Sequence, residues 1–145
     1  MSAAIDVNVL LFASDTASPL HLRAADFLER CATGPDVLYL AWSTVMSYLR
    51  ISTHPAIFAN PLQPEEAAHN AETLVRLPHV RMLAEEDGFW DLYREVTKTQ
   101  PTRGNDVPDA HLATLLRQHG VTTLYSHDRD FRKFDFLNVR DPFAT

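Results

Sequence analysis

The sequence holds one cysteine, Cys31, among 145 residues. A single thiol permits no internal disulfide, so the fold must rest on its packed core, as suits a reducing compartment. No His-Asp arrangement is tied to Cys31, which reads as a packed helix residue. No apolar run approaches the ~18 residues that a bilayer span needs. The N-terminus lacks a basic segment followed by an apolar stretch and a small-residue cleavage site, and Asp6 interrupts it early. The expectation is a cytoplasmic protein without a membrane span. No Cys/His set has zinc spacing, and the seven histidines are scattered. There is no internal repeat, low-complexity tract or linker, so residues 1–145 are expected to form one domain. Excess positive charge is missing as well. The net charge is −6 and the pI near 5.5, which argues against electrostatic binding of nucleic acid over the whole surface. It leaves room for a nuclease whose acids are neutralised locally by a divalent ion.

What is present begins with Ala3-Ala4-Ile5-Asp6-Val7-Asn8-Val9-Leu10-Leu11-Phe12-Ala13. A continuous apolar run suggests an element buried on both faces, such as a central parallel strand. Asp6 is the anomaly within it. An ionised carboxylate in a dry core costs several kcal/mol unless donors or a cation compensate it. Asp6 is therefore expected at an opening where the strand ends, which is where ligands bind in open α/β sheets. The competing reading is that Asp6 merely caps a helical turn that follows.

The rest of the chain alternates strand and helix. Ser18-Pro19 reads as a helix start, and Leu20, Ala24, Phe27, Leu28 and Cys31 keep helical spacing to Gly34-Pro35. Strands are expected at 37–41, 79–83 and 121–125, with a marginal one at 136–139. Helices are expected at 42–52, from Pro64 to about Leu77, from an Asp87 cap through Val96, and from Pro108 to Gly120. Asp128 to Phe134 reads as a short helical turn. Such alternation predicts an α/β fold with a parallel sheet covered on both faces.

Acids recur at element ends. Asp109 falls in the first turn of the late helix, and Asp106 lies just before it. Asp128 follows an apolar strand, as Asp6 does, with Asp130 two residues on. An acid at a helix start is usually a cap or a dipole partner. Several such acids make a cluster more plausible. Clustered carboxylates raise one another's pKa, and a hard divalent cation relieves that. Mg²⁺ takes oxygen ligands and commonly keeps several waters, one of which can attack a phosphodiester. His111 and His127 lie beside these acids and read as surface or supporting residues.

Together, Asp6-Val7-Asn8-Val9-Leu10-Leu11, Leu49-Arg50-Ile51-Ser52-Thr53-His54-Pro55, Pro108-Asp109-Ala110-His111-Leu112-Ala113 and Ser126-His127-Asp128-Arg129-Asp130-Phe131 resemble the PIN-domain family. More narrowly, they look like the VapC-type toxins of bacterial toxin–antitoxin modules. The resemblance covers essentially the whole chain. It implies a three-layer PIN-like fold, with a parallel sheet of about five strands flanked by helices. It implies an endoribonuclease dependent on Mg²⁺ or Mn²⁺ that arrests translation or growth, a cognate antitoxin as partner, and a homodimer. Carried over by position, Asp6 and Asp109 bind metal and Asp128 completes the catalytic acids, with Asp130 auxiliary. The family's second acid falls on Ser47, three residues before Arg50. That departure leaves fewer charges for a second metal and favours a one-metal site, with Asp106 as a possible substitute. Among Arg50, Arg103, Arg129, Arg132 and Lys133, only Arg50 and Arg129 lie close enough in sequence to the site to be favoured as contacts for RNA phosphates. Ser47 also motivates an alternative, a PIN-like protein that binds RNA or its antitoxin without cleavage. A phosphatase of the haloacid-dehalogenase type would need an acid two residues after Asp6, where Asn8 stands.

Overall fold

The strand that opens the fold is short because it ends at Asp6. In the computed structural model, which describes residues 2–144, β1 spans Ala3–Ile5, and the apolar stretch after it is helix α1 (Val7–Ser14). The apolar run, read as a single buried element, is thus divided: the strand ends at Asp6, as expected, and the remainder is helix. A run apolar all round fits a buried helix as well as a buried strand, and periodicity cannot separate the two. Asp6 decides the matter, since its carboxylate accepts from the Val7 N–H at 2.7 Å and caps the helix.

Helix α2 (His21–Thr33) starts later than Ser18-Pro19 suggested. Ser18 Oγ instead accepts from the Leu20 N–H at 3.1 Å and shapes the turn before the helix. Then come β2 (Leu38–Ala41), α3 (Trp42–Ser52), α4 (Pro64–Val75), β3 (Val80–Leu83) and α5 (Phe89–Thr97). Asp87 does not cap α5. Gly88 takes that position with φ 85°, a left-handed conformation that glycine adopts freely. Helix α6 (Asp106–Gln118) begins two residues before Pro108, which places Asp106 and Asp109 together in its first turn. β4 (Thr123–Tyr125), a 3-10 turn (Arg129–Lys133) and β5 (Asn138–Arg140) complete the order.

The five strands form one parallel sheet in the order β3-β2-β1-β4-β5. Side chains alternate across it, as strand geometry requires. Ala4, Ala41 and Leu124 face a core built with α6 and the 3-10 turn, including Leu115, Leu116 and Phe131. Ile5, Leu38 and Leu40 face a second core with Val9, Leu10, Phe27 and Tyr48 from α1, α2 and α3. The expected three layers are therefore present. No described helix is long and apolar enough to cross a membrane.

Leu124 is fully buried in the middle of the sheet. Leu124→Ala should lower stability by about 2–5 kcal/mol through lost burial and a residual cavity. Chemical denaturation is the check, and the transition midpoint should fall while its slope stays constant.

Candidate active site

β1 is the strand at which the sheet changes direction. The chain fills β2 and β3 on one side of it, then returns to place β4 and β5 on the other. A crevice opens outside the carboxyl ends of strands at such a switch point. Asp6 directly follows β1, and Ser126 directly follows β4. The Asp6 N–H donates to the Tyr125 carbonyl at 2.9 Å, locking these two strand ends together.

Ser126 is 1% exposed and ties the crevice floor together. Its hydroxyl donates to Asp6 Oδ2 at 2.8 Å. It accepts from the Asp128 N–H at 2.9 Å and from Asn8 Nδ2 at 3.3 Å. A hydroxyl offers one donor and two acceptor positions, so Ser126 is fully used. Asn8 Oδ1 in turn accepts from the His127 N–H at 3.4 Å. Asp6 Oδ1 takes the Val7 N–H, so each carboxylate oxygen of Asp6 has a donor.

Asp109 reaches the crevice from the first turn of α6, and Asp128 from the start of the 3-10 turn, where its Oδ1 caps the Asp130 N–H at 2.9 Å. Asp109, Asp128 and Asp130 each offer a carboxylate oxygen, all within 4.8 Å of one another. Burial pushes the Asp6 carboxyl up to about 6, and the Asp128 charge adds to the rise, against the lowering effect of Ser126 and the Val7 N–H. Asp109 is also pushed up to about 6, first by burial and then by the charges of Asp128 and Asp6. The site therefore concentrates negative charge beyond what its own donors balance. Its donors are hard oxygens, the set that Mg²⁺ and Mn²⁺ prefer.

A cleft of about 580 Å³ opens over this floor. Asp6, Asp109 and Ser47 all line it, beside Ser43, the buried Thr44, and the aromatic side chains of Phe89, Trp90 and Tyr93. The position of the family's second acid thus faces the cleft with a neutral hydroxyl. His111 lines the wall, hydrogen-bonded to Glu85 and edge-on to Phe89. His127 is paired with Asp141 at 2.9 Å and sits against Phe12 and Phe143.

Other residues singled out in the sequence lie apart from this cleft. Asp106 accepts an ion pair from Lys133 at 3.3 Å and lines a neighbouring recess, so it does not stand in for an acid at Ser47. Arg50 is exposed in the last turn of α3, and Arg129 is exposed at the start of the 3-10 turn; neither lines the cleft. Arg103 and Arg132 are exposed too. Lys133 is the cation whose charge lowers Asp109 against its acidic neighbours. Sequence reasoning passed over Ser126 and the supporting role of Asn8. Ser126 had a signal, a small hydroxyl residue at the end of an apolar strand two positions before an acid. The aromatic wall had none, because helix α5 gives no hint of what it faces.

Comparison with known proteins agrees with this geometry. The PIN domain family model matches residues 3–137. Ribonuclease VapC48 of Mycobacterium tuberculosis is 49% identical over 144 residues, covering 99% of each chain. Among solved structures, the sarcin-ricin loop cleaving toxin VapC20 of M. tuberculosis superposes with a TM-score of 0.69 at 17% identity, covering 96% of this chain and 99% of that one. VapBC-1 of nontypeable Haemophilus influenzae gives 0.67 at 16% identity, covering 99% and 100%. At these identities the two structures speak to the fold.

A carboxyl whose pKa is raised by folding favours the folded state when protonated. For Asp109 that contribution is full below the unfolded value near 3.8 and is lost as pH rises through about 6. Asp109→Asn removes the charge, so without metal it should be more stable than the parent above that window and similar to it near pH 4. Denaturant titrations across the pH range test this. A difference that stays constant with pH would contradict it.

Proposed function

The chain belongs to the PIN domain family, in its VapC branch, and on that footing we propose that it is a metal-dependent endoribonuclease, the toxin of a toxin–antitoxin pair. One observation carries the reading. Asp109, Asp128 and Asp130 converge within 4.8 Å at the mouth where β1 and β4 end, beside the buried Asp6. Most of the chain's acids lie outside this point, and ordinary helix capping would not bring these four together. The relatives' names as ribonucleases agree with it.

The donor set suits a divalent cation. It consists of carboxylate oxygens only, and it carries more negative charge than Lys133 offsets. Asp109, Asp128 and Asp130 would hold the ion, with Asp6 directly or through water. When bound, Mg²⁺ or Mn²⁺ supplies Lewis-acid stabilisation of phosphate charge and an acidified water. The chain's own residues do the rest. Ser126 and the Val7 N–H hold the Asp6 carboxylate in a single orientation toward the cleft. Asp128, fixed through its backbone N–H to Ser126, orients the attacking water. Ser47 adds no charge, which suits a single ion rather than two. The raised Asp6 and Asp109 carboxyls of the metal-free site must lose their protons to take the ion, so its affinity for Mg²⁺ or Mn²⁺ should fall as pH drops through about 6.

As such a toxin, the protein would act in the cytoplasm as a homodimer, with residues 1–145 forming one PIN domain. Its acidic surface would receive a basic segment of a cognate antitoxin. Ser47 supports a second reading, in which the chain binds RNA or antitoxin without cutting. The neutral hydroxyl stands in the cleft where the family carries an acid.

Purified Asp6→Ala and Asp109→Ala proteins should lose metal-dependent cleavage of cellular RNA. Unchanged cleavage by either would defeat the nuclease reading. A parent protein that cuts nothing, with a Ser47→Glu variant that gains cleavage, would favour the second reading instead.

A further inference from the structure

Asp128 and Asp130 are carried by the loop and 3-10 turn that follow β4, and this loop is held from two sides. On the cleft side, Ser126 Oγ accepts from the Asp128 N–H at 2.9 Å, and Asn8 Oδ1 accepts from the His127 N–H at 3.4 Å. On the other side stands the stretch after β5. The Ser126 N–H donates to the Arg140 carbonyl at 3.0 Å, which brings Asp141 alongside His127. Asp141 uses both carboxylate oxygens there. Oδ2 accepts from His127 Nδ1 at 2.9 Å, and Oδ1 accepts from the Phe143 N–H at 2.8 Å. The Phe143 ring is buried. The rings of Phe12, His127 and Phe143 meet edge-on in a triangle, with centres 5.4 to 5.7 Å apart. Arg23 of α2 donates to the Phe143 carbonyl and sets its guanidinium 5.9 Å from the centre of that ring.

Stability gives little reason for the bond between His127 and Asp141. The His127 side chain is 41% exposed, and pairs so open to solvent contribute little. Its place in the chain gives a better one. His127 joins Ser126, which holds Asp6, to Asp128, which belongs to the carboxylate group with Asp109 and Asp130. Peptide planes are rigid, so the torsions at one residue set where the next side chain falls. Fixing His127 by both its N–H and its ring therefore fixes the direction in which Asp128 and the 3-10 turn depart. We propose that His127, gripped by Asp141, is a positioning residue for the ion site, holding Asp128 and Asp130 at the spacing from Asp109 that a divalent cation requires. This rests on the metal-dependent reading of the site. Groups that orient ligands at metal sites typically cost about 10- to 100-fold in affinity when lost. A carboxylate only accepts, so Nδ1 carries the proton in the neutral ring and in the charged one, and the bond persists in both.

The test reads Mn²⁺ binding directly, by electron paramagnetic resonance of the free ion, with no RNA present. Circular dichroism first shows that each variant is folded at the temperature of measurement. His127→Phe keeps a ring between Phe12 and Phe143 but loses the donor, and it should weaken Mn²⁺ binding about tenfold. His127→Asn loses the ring but places an amide N–H where Nδ1 stood, and it should bind Mn²⁺ as the parent does. Asp141→Ala breaks the same bond from the other side and should weaken binding to a similar extent. Adding His127→Phe to Asp141→Ala should cost no more than Asp141→Ala alone, because the shared bond is already gone. Parent-like affinity in folded His127→Phe or Asp141→Ala protein would overturn the proposal. So would weakened binding by His127→Asn equal to that of His127→Phe, which would make the ring rather than its hydrogen bond the cause. Failure of the metal reading shows separately, as no Mn²⁺ bound by the parent protein.

Discussion

The hydrogen bond from Ser126 to Asp6 is the contact on which the site depends. A buried carboxylate is costly unless donors face it, and Asp6 has two, the Ser126 hydroxyl and the Val7 N–H. These donors come from opposite sides of the switch point, one after β4 and one from the start of α1. Holding Asp6 therefore also fixes the two strand ends and the helix relative to one another. Ser126 extends the same tie to Asp128 through that residue's backbone N–H. The compensation is incomplete, since burial still leaves the Asp6 carboxyl pushed up to about 6. That residual imbalance is what a divalent ion would relieve.

Negative charge gathered at one mouth also explains how an acidic protein can be built to act on a polyanion. Several neighbouring acids already have partners of their own. Asp106 is paired with Lys133, Asp141 with His127 and Glu85 with His111. These pairs sit around the cleft without adding ligands to it. With a net charge of −6, the chain offers no broad basic face to a strand. The aromatic side chains of α5 line the cleft beside the acids.

Much of this was legible in the sequence. The alternation of apolar strands with helices gave the parallel three-layer sheet, because crossover connections follow from that order. Asp6, Asp109 and Asp128 stood out because each is an acid at the end of an apolar element. Asp6 allowed two readings, a helix cap or a residue at an opening, and the structure makes both true at once. Helix α1 was not separated from β1 because Val7–Ser14 is apolar nearly all round and carries no period. Asp130 reads as auxiliary in the sequence, yet it shares a carboxylate group within 4.8 Å with Asp109 and Asp128, because it lies in the 3-10 turn that Asp128 caps. Asp106 was equally visible but is claimed by Lys133 from a turn 27 residues later, a pairing that no local pattern announces. Ser126 acts across elements distant in sequence, and its contacts appear only once β4 is in place.

The most direct test of the account is the anomalous scattering of Mn²⁺ in crystals soaked near neutral pH. The account predicts a peak among the carboxylates of Asp109, Asp128 and Asp130, adjacent to Asp6. Saturating Mn²⁺ with no peak at that point, or with peaks only at surface acids elsewhere, would contradict it.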